Sequence, residues 1–196
     1  MKKVTILLAA VFAVALTGKV TAQANPASDS EVITITANLN TTLALTLDNS
    51  GILFEFNTLD DYNNGLGSNG GDYSSNGSVS STSNWQLGFV ATTPFTNEDG
   101  TTTMPMDNLG VTVTWNGSNT IDNNADNALA LEDQERILID HNGTNSNAGD
   151  DDANSFTIYW EMGTQNGDMN GASLFDQDLK KGAYQVAVEF ILTEVL

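Results

Sequence analysis

Asp122, Asn124 and Asp126 stand at alternate positions, and Asp133 follows seven residues after the last of them. Oxygen ligands in that rhythm with a later acid mimic a calcium loop. Asn127 takes the place of the sharp-turn glycine such loops carry. A donor set made only of hard oxygens would select Ca²⁺ over Zn²⁺. A second acidic run, Asp150, Asp151 and Asp152, repels itself unless a cation or solvent screens it. The competing explanation for both stretches is a pair of solvated acidic loops.

Other chemistry has fewer candidates. His141 is the sole histidine and there is no cysteine. That excludes a Cys–His pair and a histidine-cluster metal site. A Ser-His-Asp triad would need His141 as its base, and no sequence feature marks a nucleophile elbow. A pair of carboxylates could act as in glycosidases. The acids sit in polar stretches, however, where solvated charge is the ordinary explanation, and the chain is expected not to be an enzyme. Trp85, Trp115 and Trp160 could stack on sugar rings, but each shares a stripe with aliphatic residues, which is the pattern of core packing. Tyr62 and Tyr73 lie in polar surroundings and are the candidate ligand-contacting aromatics.

Charge narrows the partners. The whole chain carries a formal −19. Lys2, Lys3 and Lys19 fall within the first 22 residues, and no acid does, so the remainder is more negative still. Such a surface repels phosphate backbones, and neither nucleic acid nor anionic membrane is an expected partner. Lys2 and Lys3 precede an apolar run over 6–16, the form of a secretory signal peptide, with small-x-small patterns favouring cleavage after Ala22 or else Ala24. The run is too short to span a bilayer, so no membrane insertion is expected once it is removed. Residues 1–22 are thus assigned to the signal, 23–30 to a linker and 31–196 to one domain. Localisation is expected to be secreted, periplasmic or cell-surface. Without cysteine the exported fold must stand on its core alone.

The elements that would position these residues are strands. Apolar residues alternate with polar ones over 31–39, 43–47, 52–57, 85–91, 109–115, 156–162 and 182–192. Residues 128–131 and 136–140 look like two further short strands, or a strand and a helical turn. Residues 60–78 hold three Asn-Gly pairs and suggest a turn-rich loop, and 142–154 a long acidic loop. Residues 174–179 suggest one helical turn. Many short alternating strands between turn signals predict an all-β fold. The expected form is an antiparallel β-sandwich, immunoglobulin-like or jelly-roll-like, with long polar loops.

At Trp85-Gln86-Leu87 the chain resembles the WxL domain of bacterial surface proteins. That family carries a second Trp-x-Leu motif on a final strand that opens Gly-x-Tyr. Here Gly182-Ala183-Tyr184 opens the corresponding stretch and Phe190-Ile191-Leu192 stands at the second motif, with Phe in place of Trp. The resemblance implies non-covalent association with the cell wall.

Together these features predict a non-catalytic, exported bacterial envelope module for adhesion, wall or matrix association, or surface assembly. Two alternatives stand beside it: a Ca²⁺-dependent carbohydrate-binding module, and a pilus or filament subunit assembled by strand pairing. The expected partners are cell-wall or extracellular glycan, further copies of the chain, or other envelope proteins.

Overall fold

The computed structural model of the chain describes residues 33–67, 72–141 and 143–195. The assigned signal (1–22), the assigned linker (23–30) and the first two residues of the assigned domain lie outside these residues. The chain divides into two compact units, Met1–Asn38 and Leu39–Leu196. In the first, residues 33–38 carry no regular secondary structure.

Among the described residues the second unit holds eleven strands, one short α-helix and a 3-10 turn at Met106–Asn108. In chain order they are β1 (Leu43–Leu47), α1 (Leu59–Asn64), β2 (Ser74–Ser81), β3 (Trp85–Ala91), β4 (Thr96–Asn97), β5 (Leu109–Trp115), β6 (Asn123–Asn124), β7 (Leu129–Ala130), β8 (Arg136–Asp140), β9 (Ser155–Met162), β10 (Tyr184–Gln185) and β11 (Val188–Glu194). One sheet has the order β1-β2-β9-β5-β7 and the other β11-β3-β8-β6, while β4 and β10 form a separate ribbon. Every ladder is antiparallel. The two sheets pack as a β-sandwich, as the strand pattern predicts.

The alternating stripes make the core. Trp85, Leu87 and Phe89 of β3, Val111 and Val113 of β5, and Phe156, Ile158 and Trp160 of β9 join one buried cluster. Fully burying a side chain of this size is worth about 1.5–3 kcal/mol. A bulge between Leu87 and Gly88 shifts the register against β8. It leaves both Leu138 and Ile139 buried on a strand that strict alternation would half expose.

Four features depart from the sequence reading. The alternation over 33–39 forms no strand, and Ile33, Ile35 and Leu39 are 82, 88 and 95 % exposed. Residues 52–56 turn Ile52, Phe54 and Phe56 toward the core but join no ladder. The expected loop over 60–78 contains the end of α1 and the start of β2. Of its Asn-Gly pairs, Asn76-Gly77 lies mid-strand opposite Thr157 and Phe156. Gly77 is needed because a Cβ there would stand 2.5 Å from the Phe156 ring. Asn64-Gly65 ends α1, with Gly65 at φ 73 and its N–H donating to the Asp61 carbonyl. Finally, the stretch 182–192 is two strands rather than one. It changes partner at Val186 and Ala187, from β4 to β3, and the Ala187 N–H donates to Thr93 Oγ1 at the switch.

Candidate functional site

One gathering of polar groups with possible chemistry lies where β6 and β8 meet loop 143–154. β8 ends at Asp140, which places His141 beside the residue entering β6, Asp122. Both side chains are buried, and His141 Nδ1 stands 3.4 Å from Asp122 Oδ2. Asp122 Oδ1 accepts from the Asn145 amide at 2.9 Å, and Oδ2 from the Thr144 N–H at 3.4 Å. A carboxylate that orients an imidazole is two thirds of a hydrolytic triad.

The four calcium-loop residues are put to different uses. Asp122 is buried against His141. Asn124 turns its amide to the Val113 carbonyl, tying β6 to β5. Asp126 is exposed and accepts from the Asn127 amide. Asp133 is exposed between β7 and β8. Among the described residues no group of three or more acidic, histidine or cysteine side chains is placed to hold a metal ion. In the second acidic run, Asp150 accepts from the Ala153 N–H and Asp151 from the Ser80 hydroxyl. Asp150 thus caps a turn, and Asp151 ties the loop to β2.

The tyrosines are half-buried rather than free. Tyr62 sits on α1 against Phe56, with Lys181 Nζ 4.0 Å from its ring centroid, a cation–π contact. Tyr73 stacks on Phe54 with centroids 4.4 Å apart. Trp85, Trp115 and Trp160 pack with the core, and each indole N–H has a partner: the Asn147 carbonyl, the Asn119 carbonyl and Ser75 Oγ. The two motif-like stretches lie on neighbouring strands. Phe190 pairs with Phe89 and Leu192 with Leu87.

A second polar feature is the recess at the β4–β10 ribbon. It encloses about 470 Å³ between Pro94, Thr96, Glu98 and Gln185. Asn97 lies beneath it. Its Oδ1 accepts from the Asp99 N–H, while its buried Nδ2 has no partner.

Charge pairs pin the loop beside the recess and the start of β8. Lys180 donates to Asp99, and this bond, joined by the Thr102 hydroxyl and the Thr101 and Thr102 N–H groups, holds the Asp99 carboxyl far below the usual carboxylate range. The same contact raises Lys180. Burial pushes Asp168 up, but hydrogen bonds from Arg136 and the Ala130 N–H outweigh it and leave its carboxyl lowered. The Asn57 and Thr58 N–H groups lower Asp61, which closes the capping box of α1.

Sequence reasoning missed the asparagines. Asn147 and Asn154 are buried in the loop expected to be wet, and Asn108 is buried in an amide pair with Gln177. Asparagine in a polar stretch signals a turn. Nothing local marks the few whose amides are turned inward. No protein-family model matches the chain, and no curated protein matches it.

Proposed function

We propose that the chain is an exported, non-catalytic module of the bacterial envelope, working in adhesion, wall or matrix association, or surface assembly. The observation that carries this is the use made of the polar side chains. The acids cap turns or pin loops, and the buried asparagines tie those loops to strand backbones. A cysteine-free sandwich fastened in this way is a rigid scaffold that presents its surface, which is what a binding or assembly module requires. The adjacency of Trp85-Gln86-Leu87 and Phe190-Ile191-Leu192 supports a WxL-like relationship.

Fractionation of the source cells, with protease treatment of intact cells and pull-down on purified wall and glycans, tests the proposal. The protein is expected in the exported fraction, cleaved by external protease and retained on wall or on its own copies. Recovery in the cytoplasm, protected from protease, would overturn it.

A further inference from the structure

We propose that two copies of this chain pair reciprocally, residues 33–37 of each adding as a strand to the open edge of β1 in the other. The proposal deepens the surface-assembly reading and rests on it for its setting alone.

The open edge comes first. Among the described residues β1 is the outermost strand of its sheet, and one side of its backbone has no ladder. Native edge strands are usually guarded by charge, proline or a bulge. β1 is Leu-Ala-Leu-Thr-Leu, in regular register with β2, and has none of these. Its inward side chains Leu43, Leu45 and Leu47 are only half-buried, whereas those of β3 are fully covered. The sandwich is therefore incompletely closed along β1.

The same chain carries a segment of matching chemistry. Ile33 and Ile35 alternate with Thr34 and Thr36, belong to no sheet, and are almost wholly exposed. No charged residue occurs from Val32 to Leu47. For a chain of −19, contact between copies must avoid like charge, and this strip does so throughout its length.

Register makes the match specific. In an antiparallel pairing centred on Asn40, Ile33 stands opposite Leu47, Ile35 opposite Leu45 and Ala37 opposite Leu43. Residues directly opposite share a sheet face, so Ile33, Ile35, Ala37 and the three leucines of β1 fall on the inward side, and Thr34, Thr36, Ala44 and Thr46 on the outer. A shift of one residue would reverse this. Because each strip contains both the donor and the acceptor, the arrangement closes on a two-fold axis, the commonest symmetry of soluble oligomers.

The test uses exported protein after processing by the cell. The chain has no cysteine, so a single Asn40→Cys variant reports on itself. Opposed residues in such a ladder have Cα atoms about 4.5–5.5 Å apart, within the ~4.4–6.8 Å a disulfide spans. Sedimentation should give twice the chain mass, tightening with added salt. Asn40→Cys should oxidise to a covalent dimer, and Ile35→Asp, at an exposed position that leaves the fold unchanged by circular dichroism, should yield monomer. A protein that is monomeric at its highest soluble concentration overturns the proposal, as does a dimer indifferent to Ile35→Asp. Filaments without the Asn40→Cys cross-link would overturn the reciprocal geometry. A monomer that fractionation places on the cell surface would sink the pairing and leave the envelope assignment standing.

Discussion

Asn147 holds Trp85 through three hydrogen bonds. Its Oδ1 accepts the Trp85 N–H at 3.0 Å, its Nδ2 donates to the Trp85 carbonyl at 2.8 Å, and its own carbonyl accepts the indole N–H at 2.9 Å. All these groups are buried, so loop 143–154 is fixed to the first residue of β3 without being a strand. Asn147→Ala leaves the Trp85 N–H and carbonyl unpaired at about 1–3 kcal/mol each. Urea unfolding should show a loss of about 2–6 kcal/mol. A loss within the error of a surface substitution would mean that water replaces the amide.

Trp85 is fully buried and touches Trp115 at a centroid distance of 6.2 Å. Trp85→Ala should cost about 3–5 kcal/mol. Trp85→Phe should cost less but still leave the Asn147 carbonyl without its donor. Denaturant midpoints of the two variants, compared with Asn147→Ala, check the coupling, and additivity across that pair would argue against the clamp.

Gly77 stands in β2 under Phe156 and beside Leu47, where a Cβ would approach within 2.5 and 2.9 Å. Gly77→Ala should therefore destabilise by about 1–3 kcal/mol through overpacking, despite the gain in strand propensity. Gly77→Ala combined with Phe156→Leu should recover part of the loss in thermal melts.

Asp99 provides a pH signature. Its folded-state pKa is depressed, so its contribution to stability is complete above the unfolded value of about 3.9 and is lost as pH falls through the folded value. Lys180 has the opposite sense: raised, it contributes below about 10.4 and is lost as pH rises through its folded value. Asp99→Asn should lower Tm at neutral pH, and the gap to the parent should shrink steadily below about pH 4. A gap that is constant down to pH 2 would detach Asp99 from the ribbon's stability.

Calcium offers a further check. With Asp122 turned to His141 and Asn124 to Val113, the loop 122–133 is organised by protein contacts. Ca²⁺ and Mg²⁺ at equal ionic strength should raise Tm equally, by relieving the self-repulsion of a −19 chain. A selective Ca²⁺ shift in differential scanning calorimetry would restore a specific site.

The strands β3, β5 and β9 were legible because large apolar residues alternate within each. β2 was not, because its inward residues are Ser75, Gly77, Val79 and Ser81. Their smallness answers the bulk of Phe156 and Trp160 on the neighbouring strand, a compensation invisible in either strand alone. Residues 33–39 show the opposite case: their alternation is as regular as that of β5, but a strand also needs a partner edge. The break at Val186 reflects two partners far away in sequence. Asp122 and His141 were singled out as separate candidates. Their meeting depends on the β6–β8 ladder, which spacing does not encode.

The Thr41 hydroxyl donates to Glu194 across 153 positions of sequence, and β3 waits for β11 over about a hundred. The consequence is temporal. While the chain is being made, β3 exposes one edge, and the Trp85 stripe stays open until β11 has emerged. Loop closure of this length is entropically slow, and folding dominated by such non-local pairing takes about milliseconds to seconds. The edge of β3 therefore stays uncovered until β11 is made.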